Sequence, residues 1–291
     1  MDTHWPIRRP VRELRPGDHA WLAYGGEEER RHVVGAFIGD GLAAGAKVVY
    51  LAGPAGAADR PRMAGMAGSH DARLLTVVPL VPSGEHAGAD EGADPRAALD
   101  ALTREVARAT ADGHHAIRIT ADLTWAVSGP DAPVPLREWE RRLGRAIGPS
   151  AIAVFQVDRR RRAAAVLDEL RAAHAVVVTP DPEFEDAMLR IERTFQPVGL
   201  SLCGELDASR HTVLDAALAT VLSGSDRREI HLDLAGLGFI DLGAINILAD
   251  VAGRRADRGP LVLDRMSPQL RTLMETVGWG MLPGLRLGAG A

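Results

Sequence analysis

The 291-residue sequence lacks features that several classes of protein require. A single cysteine excludes an intrachain disulfide and is typical of a protein in a reducing compartment. The chain contains no run of about 18 apolar residues, which a membrane-spanning helix needs. Its first ten residues, MDTHWPIRRP, lack the apolar core of a signal peptide. These absences predict a cytoplasmic protein that makes no membrane contact.

The balance of charge argues against nucleic acid as a partner. The chain carries 34 basic and 39 acidic residues, for a net charge of −5, whereas a protein that binds the phosphate backbone needs a basic surface. The sequence contains no HxxxH pair and no Cys/His cluster, the patterns that indicate a metal site. The adjacent histidines His114 and His115 would point to opposite faces of a strand and so do not form such a pair. No Ser/His/Asp arrangement follows from the spacing. The sequence therefore predicts no metal, no cofactor and no catalytic activity.

What the sequence does contain is a regular alternation of strand and helix patterns. Apolar runs, such as His19–Tyr24 and Lys47–Ala52, alternate with stretches of helical periodicity. This alternation predicts an α/β protein, and the length predicts two domains, each with its own core. The proline-containing stretch Thr179–Asp186 is the expected linker. It separates an N-terminal domain, residues 10–180, from a C-terminal domain, residues 187–285.

The stretch Glu229–Ala249 has the most informative pattern. Apolar and polar residues alternate from Ile230 to Leu234, as in a half-buried strand, and a glycine-containing turn is expected at Ala235–Gly238. Asp241 is a good N-cap residue, because its carboxylate can accept N–H groups of the first helical turn. The helix that follows has one apolar face, made up of Leu242, Ile245, Leu248 and Ala252.

The segment LDLAGLGFIDLGAINIL within this stretch resembles the centre of a STAS domain, the module of anti-sigma-factor antagonists and of sulfate-transporter tails. The strand VGLSLCGELD (Val198–Asp207) and the later pair Leu261–Leu263 and Ser267–Leu270 resemble other STAS motifs in the same order. The resemblance implies a mixed sheet with helices and, as partner, an anti-sigma factor of the histidine-kinase-like type. The partner-binding residues that it implies are Asp207, Ser209, Asp241, Leu242 and Gly243.

The chain departs from the STAS pattern at one regulatory residue. Phosphorylated STAS domains read Asp-Ser-Ser/Thr-Gly at this helix start, and a partner kinase modifies the second hydroxyl. The same positions here are Asp241-Leu242-Gly243-Ala244, so the phosphoacceptor position, Gly243, has no hydroxyl. No Ser, Thr or Tyr occurs between Asp226 and Met266. The sequence therefore predicts a partner-binding surface that is always competent to bind. Access to this surface would be controlled by the N-terminal domain and not by phosphorylation.

Five segments of the N-terminal half occur in a recognisable order: GDHAWLAY, AFIGDGLAAGAKVVYL, GHHAIRITADLTWAV, WERRL and AVFQVDRRR. They resemble the MEDS domain, a sensory module of bacterial regulators. The second segment is also similar to part of RecA/KaiC-type ATPases, which implies a degenerate fold of that type, a parallel sheet with helices on both faces. The phosphate loop is missing, because Gly25–Arg30 has no Lys-Ser/Thr pair and brings three carboxylates instead. ATP hydrolysis is not expected.

A crevice at the carboxyl ends of the strands is the natural place for a ligand in such a sheet. Aromatic rings beside polar groups suit a small, partly apolar molecule. The residues expected to line the crevice are His19, Trp21, Tyr24, Asp122, Trp125 and Gln156. Two alternatives stay open, since the tryptophans also fit as packing residues of the sheet edge and His19 as a hydrogen-bonded core residue.

Three functions are therefore open. The first is a non-enzymatic signalling regulator, in which a small-molecule ligand of the N-terminal domain gates partner binding. The second is a residual nucleotide-binding protein, and the third is a scaffold of a larger signalling assembly. Homodimerisation is compatible with each of them.

Overall fold

The computed structural model describes residues 7–52, 72–79, 95–123, 142, 144–145, 148–224 and 228–288. The chain divides into two compact units, Met1–Thr179 and Pro180–Ala291. The stretch expected as the linker is partly structured, because Phe184–Glu185 already forms a strand of the second unit. No helix among these described residues is long and apolar enough to cross a membrane.

In the described part of the first unit, strands and helices alternate as predicted. The strands are β1 (Ile7–Pro10), β2 (His19–Tyr24), β3 (Lys47–Ala52), β4 (Leu75–Pro79), β5 (Ile117–Asp122), β6 (Ile152–Asp158) and β7 (Val176–Thr179). The α-helices are α1 (Glu27–Ala43), α2 (Pro95–Ala111) and α3 (Ala164–Ala173). Short 3-10 helices cover Val11–Glu13, Ala72–Leu74 and Arg159–Arg161.

These strands form one sheet in the order β1-β7-β2-β6-β5-β3-β4, with parallel pairings throughout. Alternate residues of a strand face opposite sides. In β3, Val48 and Tyr50 belong to the core on the α1 side, whereas Val49 and Leu51 belong to the core on the side of α2 and α3. Helices therefore cover both faces, which explains why the strands are apolar on both sides. The predicted parallel sheet covered on both faces is confirmed.

The strand order places a topological switch point at the carboxyl ends of β2 and β6. These two strands pair from His19 opposite Ala153 to Tyr24 opposite Asp158. Helix α1 follows β2 and leads toward β3, whereas α3 follows β6 and leads to β7, on the other side of β2. In open α/β sheets, ligands generally bind at a point where the connections leave neighbouring strands in opposite directions.

Local structure differs from the prediction at the start of β5. His114 and His115 precede this strand, which begins at Ile117, so they are not strand residues on opposite faces. His114 belongs to the end of α2 instead, because Gly113 adopts a positive φ of 86° and the His114 N–H donates to the Ala109 carbonyl oxygen over 3.0 Å. This is a common way for a helix to satisfy its last carbonyl groups.

The described part of the second unit contains β8 (Phe184–Glu185), β9 (Leu189–Phe195), β10 (Val198–Leu206), β11 (Ile230–Ile240), β12 (Leu261–Asp264) and β13 (Leu285–Leu287). Its helices are α4 (His211–Ser223), α5 (Leu242–Arg254) and α6 (Pro268–Thr276), with 3-10 turns at Ala208–Arg210 and Trp279–Met281. The sheet order is β13-β12-β11-β10-β9-β8. Strands β8 to β10 pair antiparallel and β10 to β13 pair parallel, which confirms the predicted mixed sheet.

Strand β11 is longer than predicted, because Ala235–Gly238 continues the strand and does not form a turn. Ser201 lies opposite Asp233 but Cys203 lies opposite Gly236, and a second shift follows between Gly204 and Glu205, so β11 takes up one extra residue at each of two β-bulges. Glycine is required at the first bulge, since a Cβ on Gly236 would come within 2.9 Å of Cys203 Sγ. The strand therefore runs without a break to the edge of the sheet at which α5 begins.

Candidate functional site

The carboxyl edge of the first sheet carries a connected set of polar side chains. Tyr24, at the end of β2, donates a hydrogen bond from its hydroxyl to Oδ2 of Asp122, at the end of β5, over 3.2 Å. Gln156, on the intervening strand β6, donates from Nε2 to Oγ1 of Thr120 over 2.7 Å. Of the residues singled out in the sequence, Tyr24, Asp122 and Gln156 thus lie on three neighbouring strands of one edge.

Arg30 of α1 lies at the centre of this set. Its side chain is 4 % exposed, and Nη1 donates to Tyr50 Oη over 3.1 Å and to Gln156 Oε1 over 3.4 Å. Burial alone would lower the pKa of the guanidinium, but the hydrogen bonds and charges of Glu27 and Tyr50 raise that pKa above its ordinary value. No motif pointed to Arg30. Its spacing of four residues from buried Val34 is the signal that places it on the inner face of α1.

Glu29 uses a donor that a phosphate-binding loop would offer to its ligand. Its Oε2 accepts the backbone N–H of Gly25 over 2.6 Å, just before α1 begins. Backbone N–H groups at such a helix start are the donors that bind phosphate. Arg159 Nη1 lies 3.5 Å from the same oxygen and balances its charge. The polar groups described at this edge are therefore satisfied to a large extent by one another.

Other residues expected in the crevice lie elsewhere. His19 starts β2 and Tyr24 ends it, so about 17 Å of extended chain separates them, and the expectation that they line one crevice is wrong. Trp21 differs from Tyr24 by an odd number of positions and faces the opposite side of the sheet, where it is 2 % exposed and belongs to the same core as Phe155. This matches the packing alternative. Trp125 lies outside the described residues.

A second polar cluster lies at the carboxyl edge of the second sheet, where α5 begins. Oδ1 of Asp241 accepts the backbone N–H of Ala244 over 2.8 Å, which confirms the predicted N-cap. The same oxygen lies 2.8 Å from Nε2 of His211, the first residue of α4. The pKa of Asp241 lies below its ordinary value, because the Ala244 N–H and the His211 imidazole both stabilise the charged carboxylate.

His211 also occupies the space beside Gly243. A Cβ built on Gly243 would overlap Cε1 of the His211 ring, so the ring lies where the side chain of a hydroxyl residue would begin. His211 and Asp241 are 30 positions apart in the sequence, and no local pattern joins them. The position of the missing hydroxyl is therefore filled by an imidazole that the sequence did not single out.

The loop after β10 completes this edge. Oδ1 of Asp207 accepts the backbone N–H of Ser209 over 3.0 Å and its hydroxyl over 2.6 Å. The Ser209 hydroxyl is the main reason that the pKa of Asp207 lies below its ordinary value, and Arg210 adds to the effect. The Asp241 N–H donates to the carbonyl oxygen of Leu206 over 3.1 Å and joins the two loops. We call the set Asp207, Ser209, His211, Asp241, Leu242 and Gly243 the α4–α5 edge.

Leu242 does not pack in the core, contrary to the expected apolar face of α5. It is 70 % exposed and nearby Phe239 is 50 % exposed, whereas Ile245 and Leu248 are buried. Helical side chains lean toward the N-terminus of their helix, so the first residue of α5 points past the sheet. Two large apolar side chains are thus exposed close to the ionised carboxylate of Asp241.

The α4–α5 edge presents charged and apolar groups side by side. Ionised carboxylates and exposed apolar side chains at a helix start offer both charge and apolar area to another surface. Within the part of the chain that the structure describes, no group of three His, Cys, Asp or Glu side chains could hold a metal ion.

Comparison with protein families assigns both units. Residues 18–175, more than half of the chain, match the family described as MEDS: MEthanogen/methylotroph, DcmR Sensory domain. Residues 189–285 match the family described as Mlab, STAS domain. No curated protein matches the chain. A sensory domain joined to a STAS domain is typical of signalling regulators that are not enzymes. The chain belongs to the MEDS family and carries a STAS domain after its MEDS domain.

Proposed function

We propose that the chain is a signalling regulator without catalytic activity, whose STAS domain binds a protein partner through the α4–α5 edge. The observation that carries this proposal is the 70 % exposure of Leu242 next to a helix start that Asp241 and His211 hold in place. A large apolar side chain presented beside ordered charged groups is suited to anchor a protein interface.

The proposed partner is an anti-sigma factor of the histidine-kinase-like type, as the resemblance to STAS domains implies. The α4–α5 edge meets it with an apolar anchor, Leu242, and with the carboxylates of Asp207 and Asp241. Both carboxyl groups have lowered pKa values and are ionised at neutral pH. A partner surface with basic groups around an apolar pocket complements this edge.

Control of binding is proposed to come from the MEDS domain, residues 10–180, which senses a small molecule and changes access to the STAS domain, residues 187–285. Gly243 has no hydroxyl, and the ring of His211 covers its position. These two facts support a mechanism that does not use phosphate at this helix start. The proposal places the protein in the cytoplasm, where such a partner would be found.

Affinity purification of the tagged full-length chain from its native host, followed by mass spectrometry, tests the proposal. We expect the wild type to recover a histidine-kinase-like anti-sigma factor. Leu242→Asp should weaken its binding tenfold or more, because truncating an interface anchor costs about 2 kcal/mol and the new charge must also be desolvated. Met281→Asp is the matched control, since Met281 is 89 % exposed and lies between α6 and β13.

Three outcomes would count against the proposal. Equal recovery by both variants would show that the α4–α5 edge is not the docking surface. Partners of another class would remove the anti-sigma assignment and favour the scaffold alternative. Equal affinity of the partner for the full-length chain and for the second unit alone, Pro180–Ala291, which has a hydrophobic core of its own, would contradict gating by the MEDS domain.

A further inference from the structure

A cavity of about 320 Å³ opens at the amino edge of the first sheet, opposite the crevice where a ligand was expected. His19, at the start of β2, and Ala151, just before β6, line it from the sheet. Gly144 and Arg145 line it from a helical stretch. This volume lies near the lower limit of ligand sites, about 300 Å³, and suits a molecule of a few heavy atoms.

Three of the residues that line this cavity are glycines. Gly17 and Gly148, with φ of 88° and 73°, adopt backbone conformations that favour glycine, and both line the cavity. A Cβ on Gly144 would lie 3.9 Å from Nδ1 of His19, which is an ordinary contact distance. The backbone therefore leaves room beside the imidazole that a larger side chain at position 144 would take.

The charge that remains available in the cavity is positive. Asp18 is the one acidic residue among the lining side chains, and its Oδ2 is already engaged by Arg9 Nη1 at 2.5 Å and by the Arg15 N–H at 2.7 Å. The guanidinium of Arg145 is exposed and makes no hydrogen bond or ion pair with the described residues. A planar guanidinium that is free to bind matches the geometry of a carboxylate or phosphate.

We propose that this cavity binds a small oxyanion, a short-chain carboxylate or phosphate, through Arg145, with the ring of His19 as the second contact. The inference deepens the proposed sensing role of the MEDS domain by moving its ligand site from the carboxyl edge of the sheet to the amino edge. It also gives the site a connection to the core. The ring of His19 lies 4.6 Å from that of His174, and His174 donates from Nδ1 to the Leu170 carbonyl oxygen of α3 over 2.8 Å.

Titration calorimetry of the full-length chain with sodium phosphate, acetate and succinate, at constant ionic strength set by sodium chloride, tests this inference. We expect saturable binding of one equivalent of at least one of these anions, and the anion that binds decides between phosphate and carboxylate. Arg145→Gln should weaken it about tenfold or more, the usual contribution of a hydrogen bond between charged groups. Arg142→Gln, on the same helical stretch but outside the cavity lining, is the matched control and should stay within about twofold of the wild type.

Gly144→Leu supplies a second, independent readout. Its side chain should fill the cavity and abolish binding, while the melting temperature stays at or above that of the wild type because leucine favours a helix over glycine. The inference is wrong if none of the three anions binds, or if Arg145→Gln and Gly144→Leu bind as the wild type does. These measurements need no protein partner, so they can fail or succeed independently of the Leu242→Asp experiment.

Discussion

Nε2 of His211 lies 2.8 Å from Oδ1 of Asp241, and this contact joins the starts of two helices of the STAS domain. The imidazole also fills the space beside Gly243, where a phosphorylatable residue would carry its side chain. One residue therefore replaces a hydroxyl in space and supports the cap of α5. The glycine at position 243 and the histidine at position 211 therefore depend on each other, because the ring fits only beside a residue without a side chain.

Restoring a hydroxyl at position 243 is expected to destabilise the domain unless His211 is removed as well. The Cβ of Gly243→Ser meets the imidazole, which has to leave Asp241, and we expect a loss of about 1–2 kcal/mol in the free energy of unfolding. His211→Ala should lose about 1 kcal/mol. In the double variant the losses should not add, because the ring that obstructs the serine is gone. Urea unfolding of the four proteins measures this, and simple additivity would contradict it.

The stabilising effect of Asp241 is expected to depend on pH. Its folded pKa lies below the ordinary value of 3.8, so the ionised carboxylate contributes stability above that value and loses it as the pH falls through the folded pKa. Asp241→Asn should therefore melt below the wild type at neutral pH, and the gap should close as the pH falls below 3.8. Asp250→Asn, an exposed position on the same helix, is the control. A gap that is constant with pH would contradict the assignment.

Loss of Arg30 is expected to destabilise the MEDS domain strongly. Arg30→Ala removes a buried guanidinium and leaves Tyr50 and Gln156 without its hydrogen bonds, at a cost of about 3 kcal/mol. The neighbouring Arg31 is 44 % exposed and lies 3.9 Å from Glu27, so Arg31→Ala should cost about 0.5 kcal/mol or less. Denaturant midpoints of the two variants make the comparison. Equal losses would show that the Arg30 network adds little.

ATP with Mg²⁺ is not expected to stabilise the protein. A ligand that binds the folded state raises the melting temperature, but the Gly25 N–H already donates to Glu29, and the carboxylates at the start of α1 oppose phosphate. Thermal unfolding with and without millimolar ATP–Mg²⁺ measures this, with the Glu29→Gln variant in parallel. A rise in the melting temperature of the wild type would revive the nucleotide-binding alternative.

The fold could be predicted where the pattern is local. Two strands, His19–Tyr24 and Lys47–Ala52, have the bounds in the structure that the sequence predicts. Each is an apolar run that ends just before a glycine. Strand β1 has no such pattern, since its sequence is IRRP, and it forms by pairing with β7 far along the chain. Gly236 and Gly238 resemble a turn locally, yet they lie in a strand because β10 pairs beside them.

The candidate sites divide in the same way. The cap at Asp241 depends on an N–H three residues away, so the sequence was enough to predict it. Helical periodicity put Leu242 on the apolar face, but it carries no information on where the sheet ends, and the residue is exposed. His19 and Tyr24 are five positions apart on one extended strand. The structure therefore places these two candidates at opposite edges of the sheet.

By itself the sequence determined the α/β class, the two domain resemblances, the missing hydroxyl at Gly243 and the cap at Asp241. These rest on residue identity or on hydrogen bonds that span a few residues. Only the tertiary structure decided that His211 fills the space at Gly243 and that Arg30 links Tyr50 to Gln156. These contacts join positions 30 and 126 apart, and such distances are set by how the strands order themselves in the sheet.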